Sequence, residues 1–196
     1  MSGDKEIIVV GGPNGAGKTT LARQLVIEKG YRYLGADEIA ERMFPDNPSE
    51  HSVEAGRQFL SDLTQFVDQG ENLIVESTLS GRSLIHRLEA AKCVGYRIAI
   101  AFTFLESADL CVARVQERVR KGGHDVPEVD VRRRYPRSLA NFWNIYRPIA
   151  DQWVLLLNVG ENSTEIVAKR DSESAVLDEL RYQSFLRLVR GPNEPD

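Results

Sequence analysis

Residues 7–25 read IIVVGGPNGAGKTTLARQL. Four β-branched apolar residues, Ile7 to Val10, run into a glycine-rich turn, and a lysine, two threonines and a helical pattern follow. Gly12-Pro13-Asn14-Gly15-Ala16-Gly17-Lys18-Thr19 satisfies G-x-x-x-x-G-K-[ST] in full, with an apolar strand before it and a helix after it. Glycines let backbone N–H groups turn inward as a nest for phosphate oxygens, and the helix start adds partial positive charge. Gly12 through Thr20 are therefore the candidate nucleotide-binding residues. Lys18 reaches the β and γ phosphates, and the Thr19 hydroxyl is a candidate Mg²⁺ ligand. The alternative is a tight glycine turn between strand and helix that holds no ligand; the full pattern and its strand–helix context favour the phosphate loop.

The rest of the composition narrows the class. The chain has 196 residues, 42% of them apolar, enough for one domain over residues 1–196 with a real core. A net charge of −4 gives no general attraction to nucleic acid or to anionic lipid, so neither is expected as a partner. No apolar run approaches the roughly 20 residues of a membrane helix, and the polar MSGDKE start does not read as a signal peptide. Cys93 and Cys111 have no CxxC pairing or metal-ligand company and read as buried thiols in a reducing compartment. A cytoplasmic protein is expected.

Strand-like and helical runs alternate. Strands are expected at 5–10, 31–35, 72–77, 96–105 and 152–159. Helices are expected at 17–28, 52–70, 81–91, 108–122, across most of 131–150 and over about 173–189, before a fraying GPNEPD end. Pro136 implies that the 131–150 helix starts late or kinks. Continuous apolar strands separated by helices predict an α/β protein with a parallel sheet covered on both faces. A glycine- and proline-containing stretch at about 121–131 is the candidate lid.

Ligands of open α/β sheets sit beyond the carboxyl ends of the strands. The polar residues there are Gly35-Ala36-Asp37-Glu38, Glu76 through Arg82, and Glu106-Ser107. A kinase of small molecules needs a carboxylate that orients the acceptor hydroxyl and takes its proton. Asp37 is the candidate, with helix N-capping as the alternative. Glu76 closes an apolar strand, where a carboxylate can hold a metal-bound water or a substrate hydroxyl. Thr78 and Arg82 are weaker substrate-site candidates beside a solvated-loop reading. The segment 113–137 carries Arg114, Arg118, Arg120, Lys121, Arg132, Arg133, Arg134 and Arg137 in an otherwise acidic chain. At least two of these arginines are expected on phosphate, stabilising charge on the transferred group. Gly122 and Gly123 give the lid its hinge. His51, His86 and His124 form no metal motif, and Trp143 and Trp153 read as core.

GPNGAGKTT, LGADEIA, Ala55-Gly56-Arg57, VESTLSGRS and RKGGHDVPEVDVRRRYPRSLANF together resemble the zeta-toxin family of P-loop kinases, within it the small chromosomal proteins labelled predicted ABC-type ATPases. The resemblance covers roughly residues 5–160. The transporter signature LSGGQ is absent. The resemblance implies a nucleotide-kinase-like P-loop NTPase fold, a five-stranded sheet of order 2-3-1-4-5 with a lid. It implies transfer of the ATP γ-phosphoryl group, with Mg²⁺, to a small-molecule hydroxyl, a UDP-amino sugar in better-known relatives. It also implies an antitoxin protein as a partner. By motif match Asp37 is the base, Glu76 and Thr78 lie at the substrate, and Arg120 and Arg133 are the paired lid arginines. ATP over GTP rests on the resemblance. The rival readings are another small-molecule kinase, and a slow ATPase switch or toxin–antitoxin binding module without a small acceptor.

Overall fold

A computed structural model describes residues 5–159, 162–170 and 173–190. Strand β1 (Glu6–Gly11) leads through the phosphate loop into helix α1 (Lys18–Lys29). There follow β2 (Arg32–Gly35), α2 (Ala36–Met43), α3 (Ser52–Asp68), β3 (Leu73–Ser77), α4 (Ser83–Cys93), β4 (Arg97–Phe104) and α5 (Ala108–Arg120). Then come α6 (Glu128–Asn141), β5 (Gln152–Val159), β6 (Asn162–Arg170), β7 (Glu173–Val176) and α7 (Glu179–Arg190).

The sheet runs β2-β3-β1-β4-β5-β6-β7. Its first five strands pair in parallel and in the expected order. Ile7, Val9 and Val10 are fully buried because β1 is central and covered on both faces, which is why it reads as a continuous apolar run. On one face α1 packs Ala22 and Leu25 against Ile8, Val10 and Ile74. The larger core fills the opposite face, where Phe102 and Phe142 stack with centroids 4.1 Å apart. Trp143 and Trp153 join that cluster edge to face, 6.0 Å apart, in keeping with their core reading.

The sheet has seven strands rather than five. β6 and β7 extend it antiparallel, with β6 on β5 and β7 on β6. A register shift between Leu155 and Leu156 breaks the regular alternation of the β5–β6 ladder, and Ile166 and Val167 are both buried although adjacent. β7 is exposed throughout and pairs with β6, so it carries no core signal. The final helix accordingly starts at Glu179 rather than near 173. Asp178 Oδ1 accepts from the Arg181 N–H at 3.0 Å and caps it. GPNEPD lies outside the described residues.

Three more expectations change. α6 starts at Glu128 and passes through Pro136. Pro136 and Arg132 share an exposed face, so the carbonyl that the proline cannot bond lies at the solvent side. A π-helical turn (Phe142–Tyr146) and a short 3-10 turn (Arg147–Ile149) complete the segment. Residues 121–127 connect α5 to α6, and 128–131 are the first turn of α6. Cys111 is buried, but Cys93 is exposed.

Candidate functional site

The phosphate loop is locked against the carboxyl ends of β4 and β5. Gly12 has φ +144, and a Cβ there would stand 2.0 Å from the Thr103 carbonyl oxygen. A Cβ on Gly17, at φ +88, would meet Asn158 Nδ2 at 2.3 Å. No other residue tolerates both the backbone angle and the contact. The Ala16 carbonyl accepts two side-chain hydrogen bonds, from Thr103 Oγ1 and from Asn158 Nδ2, both at 2.9 Å. Neither Thr103 nor Asn158 was legible as a site residue, because each is one polar residue in an apolar strand.

Lys18 is buried, and its Nζ donates to the Pro13 carbonyl at 3.1 Å. Burial pulls its pKa below the usual lysine value, while Glu76 and Asp37 pull the other way. Thr19 Oγ1 donates to Glu76 Oε1 at 2.9 Å, and Tyr33 Oη donates to Glu76 Oε2 at 2.8 Å. Burial, and then the Glu76 charge, push the Tyr33 phenol pKa up, so it stays a donor. Gly35 leaves room for it, since a Cβ there would lie 2.5 Å from Tyr33 Oη.

Two adjoining cavities meet at these residues. One, about 650 Å³, is lined by Asn14, Gly15 and Gly17 to Thr20 of the phosphate loop and by Arg114, Glu117, Arg118, Lys121 and Gly123. The other, about 470 Å³, lies beyond β2 and β3, against α3 and α6. Lys18, Asp37 and Glu76 line both. Asp37 is exposed and is the second residue of α2; the N-cap position belongs to Gly35.

The loop after β3 forms part of the second cavity, through Ser77, Thr78, Ser80 and Gly81. It is pinned from behind. Ser138 Oγ donates to the Thr78 carbonyl, Asn141 Nδ2 to the Leu79 carbonyl at 2.9 Å, and Tyr146 Oη to the Gly81 carbonyl at 2.7 Å. Leu79 is held at φ 55, in the left-handed region, with its side chain buried. Such a backbone persists only where its surroundings over-determine it. Thr78 Oγ1 shares a 2.9 Å hydrogen bond with Ser80 Oγ inside the cavity wall. Arg82 is exposed and lines neither cavity. Glu106 and Ser107 do not join the others: Glu106 lines a separate groove beside α7, and Ser107 caps α5.

The arginines sort by geometry. Arg118 and Arg114 line the phosphate-loop cavity, and Arg134 lines the second. Arg118 Nε and Nη2 are buried without a hydrogen-bond partner, as is Asn14 Oδ1. Buried donors left open in this way are rare and call for an acceptor; at this position an anion would supply it. Arg120 and Arg133, the motif-matched pair, line neither cavity: Arg120 is exposed, and Arg133 pairs with Asp130 at 2.6 Å. Arg132 is spoken for by Asp109 and Glu128, at 2.6 and 2.7 Å.

Among the described residues no cluster of three His, Cys, Asp or Glu side chains could hold a metal by itself. One hydroxyl and one carboxylate side by side, at Thr19 and Glu76, fit a Mg²⁺ ion that takes its remaining ligands from phosphate and water. Among the described residues no helix is long and apolar enough to cross a membrane.

The fold recurs in known proteins. The AvrRxo1-ORF1:-ORF2 complex with ATP superposes with a TM-score of 0.73 at 16% identity, over 98% of this chain and 66% of that one. The PezAT chromosomal toxin–antitoxin system of Streptococcus pneumoniae gives 0.64 at 16% identity, over 93% and 79%. An uncharacterized protein of Haemophilus influenzae is 34% identical over 130 residues, 63% of this chain and 88% of the relative. Residues 7–135 match the AAA_33 family model, described as an AAA domain, and the chain belongs to that family.

Proposed function

We propose that this chain is an ATP- and Mg²⁺-dependent kinase of the zeta-toxin type, one kinase-like domain whose 121–131 segment acts as a lid. It moves the γ-phosphoryl group of ATP to a hydroxyl of a small molecule, with UDP-amino sugars as the first acceptors to test. One observation carries this reading: Lys18, Asp37 and Glu76 line both a phosphate-loop cavity and an adjoining one. A donor and an acceptor held in the two would meet at these three side chains.

In this reading Lys18 and the loop N–H groups hold the β and γ phosphates. Asp37 orients the acceptor hydroxyl and takes its proton as the new P–O bond forms and the β–γ bridge breaks, releasing ADP. Arg118, with two open buried donors, stabilises the equatorial oxygens. Thr19 and Glu76 hold the metal, which neutralises phosphate charge when bound. Tyr33 fixes the Glu76 carboxylate. An antitoxin protein is included as a partner on the likeness to a toxin–antitoxin system.

The test is ADP release from Mg-ATP with and without a panel of nucleotide sugars, nucleosides and antibiotics. Stimulation by one hydroxyl compound, with a phosphorylated product, is expected. Slow hydrolysis that no compound stimulates would transfer the weight to an ATPase switch controlled by a partner.

A further inference from the structure

Glu106 stands just beyond the end of β4 and joins neither of the two cavities at the phosphate loop. It lines a third, about 270 Å³, where the carboxyl ends of β4 and β5 meet α7. No lining residue is shared with the other two. The sheet itself separates them. Thr103 and Asn158 turn toward Ala16 of the phosphate loop, so Phe104 and Leu157, their chain neighbours, turn to the opposite face.

Helix α7 makes the second wall of this groove. Phe185 is fully buried and meets Phe104 edge to face at 4.9 Å, which docks the helix on β4. Arg181, Ser184, Arg187 and Leu188 recur at helical spacing and so share the side of α7 that lines the groove. The floor is apolar, with Phe104 and Leu157 buried and Leu188 beside them. The rim carries both signs of charge. Arg181 is held by Asp178 at 3.1 Å. Glu106 and Arg187 make no ion pair among the described residues, with each other or with any other side chain. A carboxylate and a guanidinium that line one small cavity without meeting leave an acceptor and a donor open on it.

We propose that this groove binds a small zwitterion with an apolar body: a free α-amino acid with an aliphatic side chain about the size of leucine. Arg187 takes its carboxylate, Glu106 takes its ammonium, and its side chain lies on Phe104, Leu157 and Leu188. The volume lies below the roughly 300–1,000 Å³ of pockets that hold drug-sized ligands, which limits the occupant to a few heavy atoms. The apolar floor selects against glycine, and the paired opposite charges select against molecules with one charge. The site takes no part in the proposed phosphoryl transfer, so it stands or falls separately from that reading.

Binding is read by chemical-shift titration of the intact chain in NMR with four probes. These are leucine, isoamylamine (leucine without its carboxylate), 4-methylpentanoate (leucine without its ammonium) and glycine. Wild type, Arg187→Gln and Glu106→Gln are compared; both positions are exposed, so neither change disturbs the core. Leucine is expected to bind with millimolar affinity or tighter, and each other probe at least about tenfold more weakly. Arg187→Gln should weaken leucine and 4-methylpentanoate by about tenfold and leave isoamylamine unchanged. Glu106→Gln should weaken leucine and isoamylamine and leave 4-methylpentanoate unchanged. The proposal is overturned if leucine shows no saturation by about 10 mM, or binds no tighter than its one-charge analogues. It is equally overturned if either variant binds leucine as wild type does, or weakens all four probes alike.

Discussion

Thr19 Oγ1 and Glu76 Oε1 lie 2.9 Å apart although 57 residues separate them in the chain. The contact joins the start of α1 to the end of β3, two neighbours created by the parallel β1–β3 pairing in which Gly11 faces Ser77. It sets a hydroxyl and a carboxylate where a divalent ion on the nucleotide phosphates would sit. Glu76→Ala is therefore expected to raise the Mg²⁺ concentration for half-maximal turnover by at least about tenfold. A magnesium titration at saturating ATP reads this directly, and an unchanged midpoint would separate Glu76 from the metal.

Asp37 gives the sharpest test of chemistry against structure. It is exposed in the first turn of α2, so its loss should cost the fold little, about 0.3–1 kcal/mol from the helix dipole. If it takes the acceptor proton, Asp37→Asn should lower kcat by about 10²–10⁴-fold at near-unchanged Tm. Full activity in that variant would remove Asp37 from the reaction.

The arginines of α5 divide cleanly. Arg118→Ala should reduce kcat by about 10²-fold or more, since Arg118 lines the phosphate-loop cavity and has two buried donors without a partner. Arg120→Ala should change kcat by less than about threefold, because that side chain is exposed and lines neither cavity. The reverse ranking in steady-state kinetics would return the role to the motif-matched arginine.

Support of the phosphate loop can be tested through the Ala16 carbonyl. Thr103→Val keeps the shape of the buried side chain and deletes one of two hydrogen bonds, for about 1–3 kcal/mol in urea unfolding. Asn158→Ala removes the other. Each is also expected to raise the KM for ATP, as the loop loses its anchor to β4 or β5. Stability loss with unchanged nucleotide affinity would mean that the loop is rigid without them.

Cys111 predicts a pH dependence of stability. Burial pushes its thiol from 9.0 up to about 12. The folded chain holds this proton more tightly than the unfolded chain, so the contribution is complete below about pH 9 and is lost as pH rises towards 12. By about pH 10.5 the loss is about 2 kcal/mol, and Cys111→Ala should flatten that part of the curve. Iodoacetamide should modify exposed Cys93 in the native protein and reach Cys111 only on unfolding. Rapid native labelling of both would contradict its burial.

Residues 7–25 alone were enough to determine a strand, a phosphate loop and a helix, because glycine spacing, Lys18 and Thr19 act over a few residues of contiguous backbone. The five parallel strands were legible as apolar runs between helical patterns, most clearly the central β1, because a strand buried on both faces must be apolar throughout. Asp37, Glu76 and Thr78 could be nominated because each follows directly on a strand. β6 and β7 were not legible, since a register shift puts Ile166 and Val167 together in the core and β7 buries nothing. The arginines could be counted but not ranked. Arg118 lines the phosphate-loop cavity and Arg120 does not because residues two apart on a helix lie on nearly opposite faces, and one face of α5 meets the phosphate loop. Tyr33, Thr103 and Asn158 gained their contacts only when distant strands and helices were brought side by side. Local chemistry reads along the chain, but hydrogen bonds and charge juxtaposition between elements depend on distances that exist only after folding.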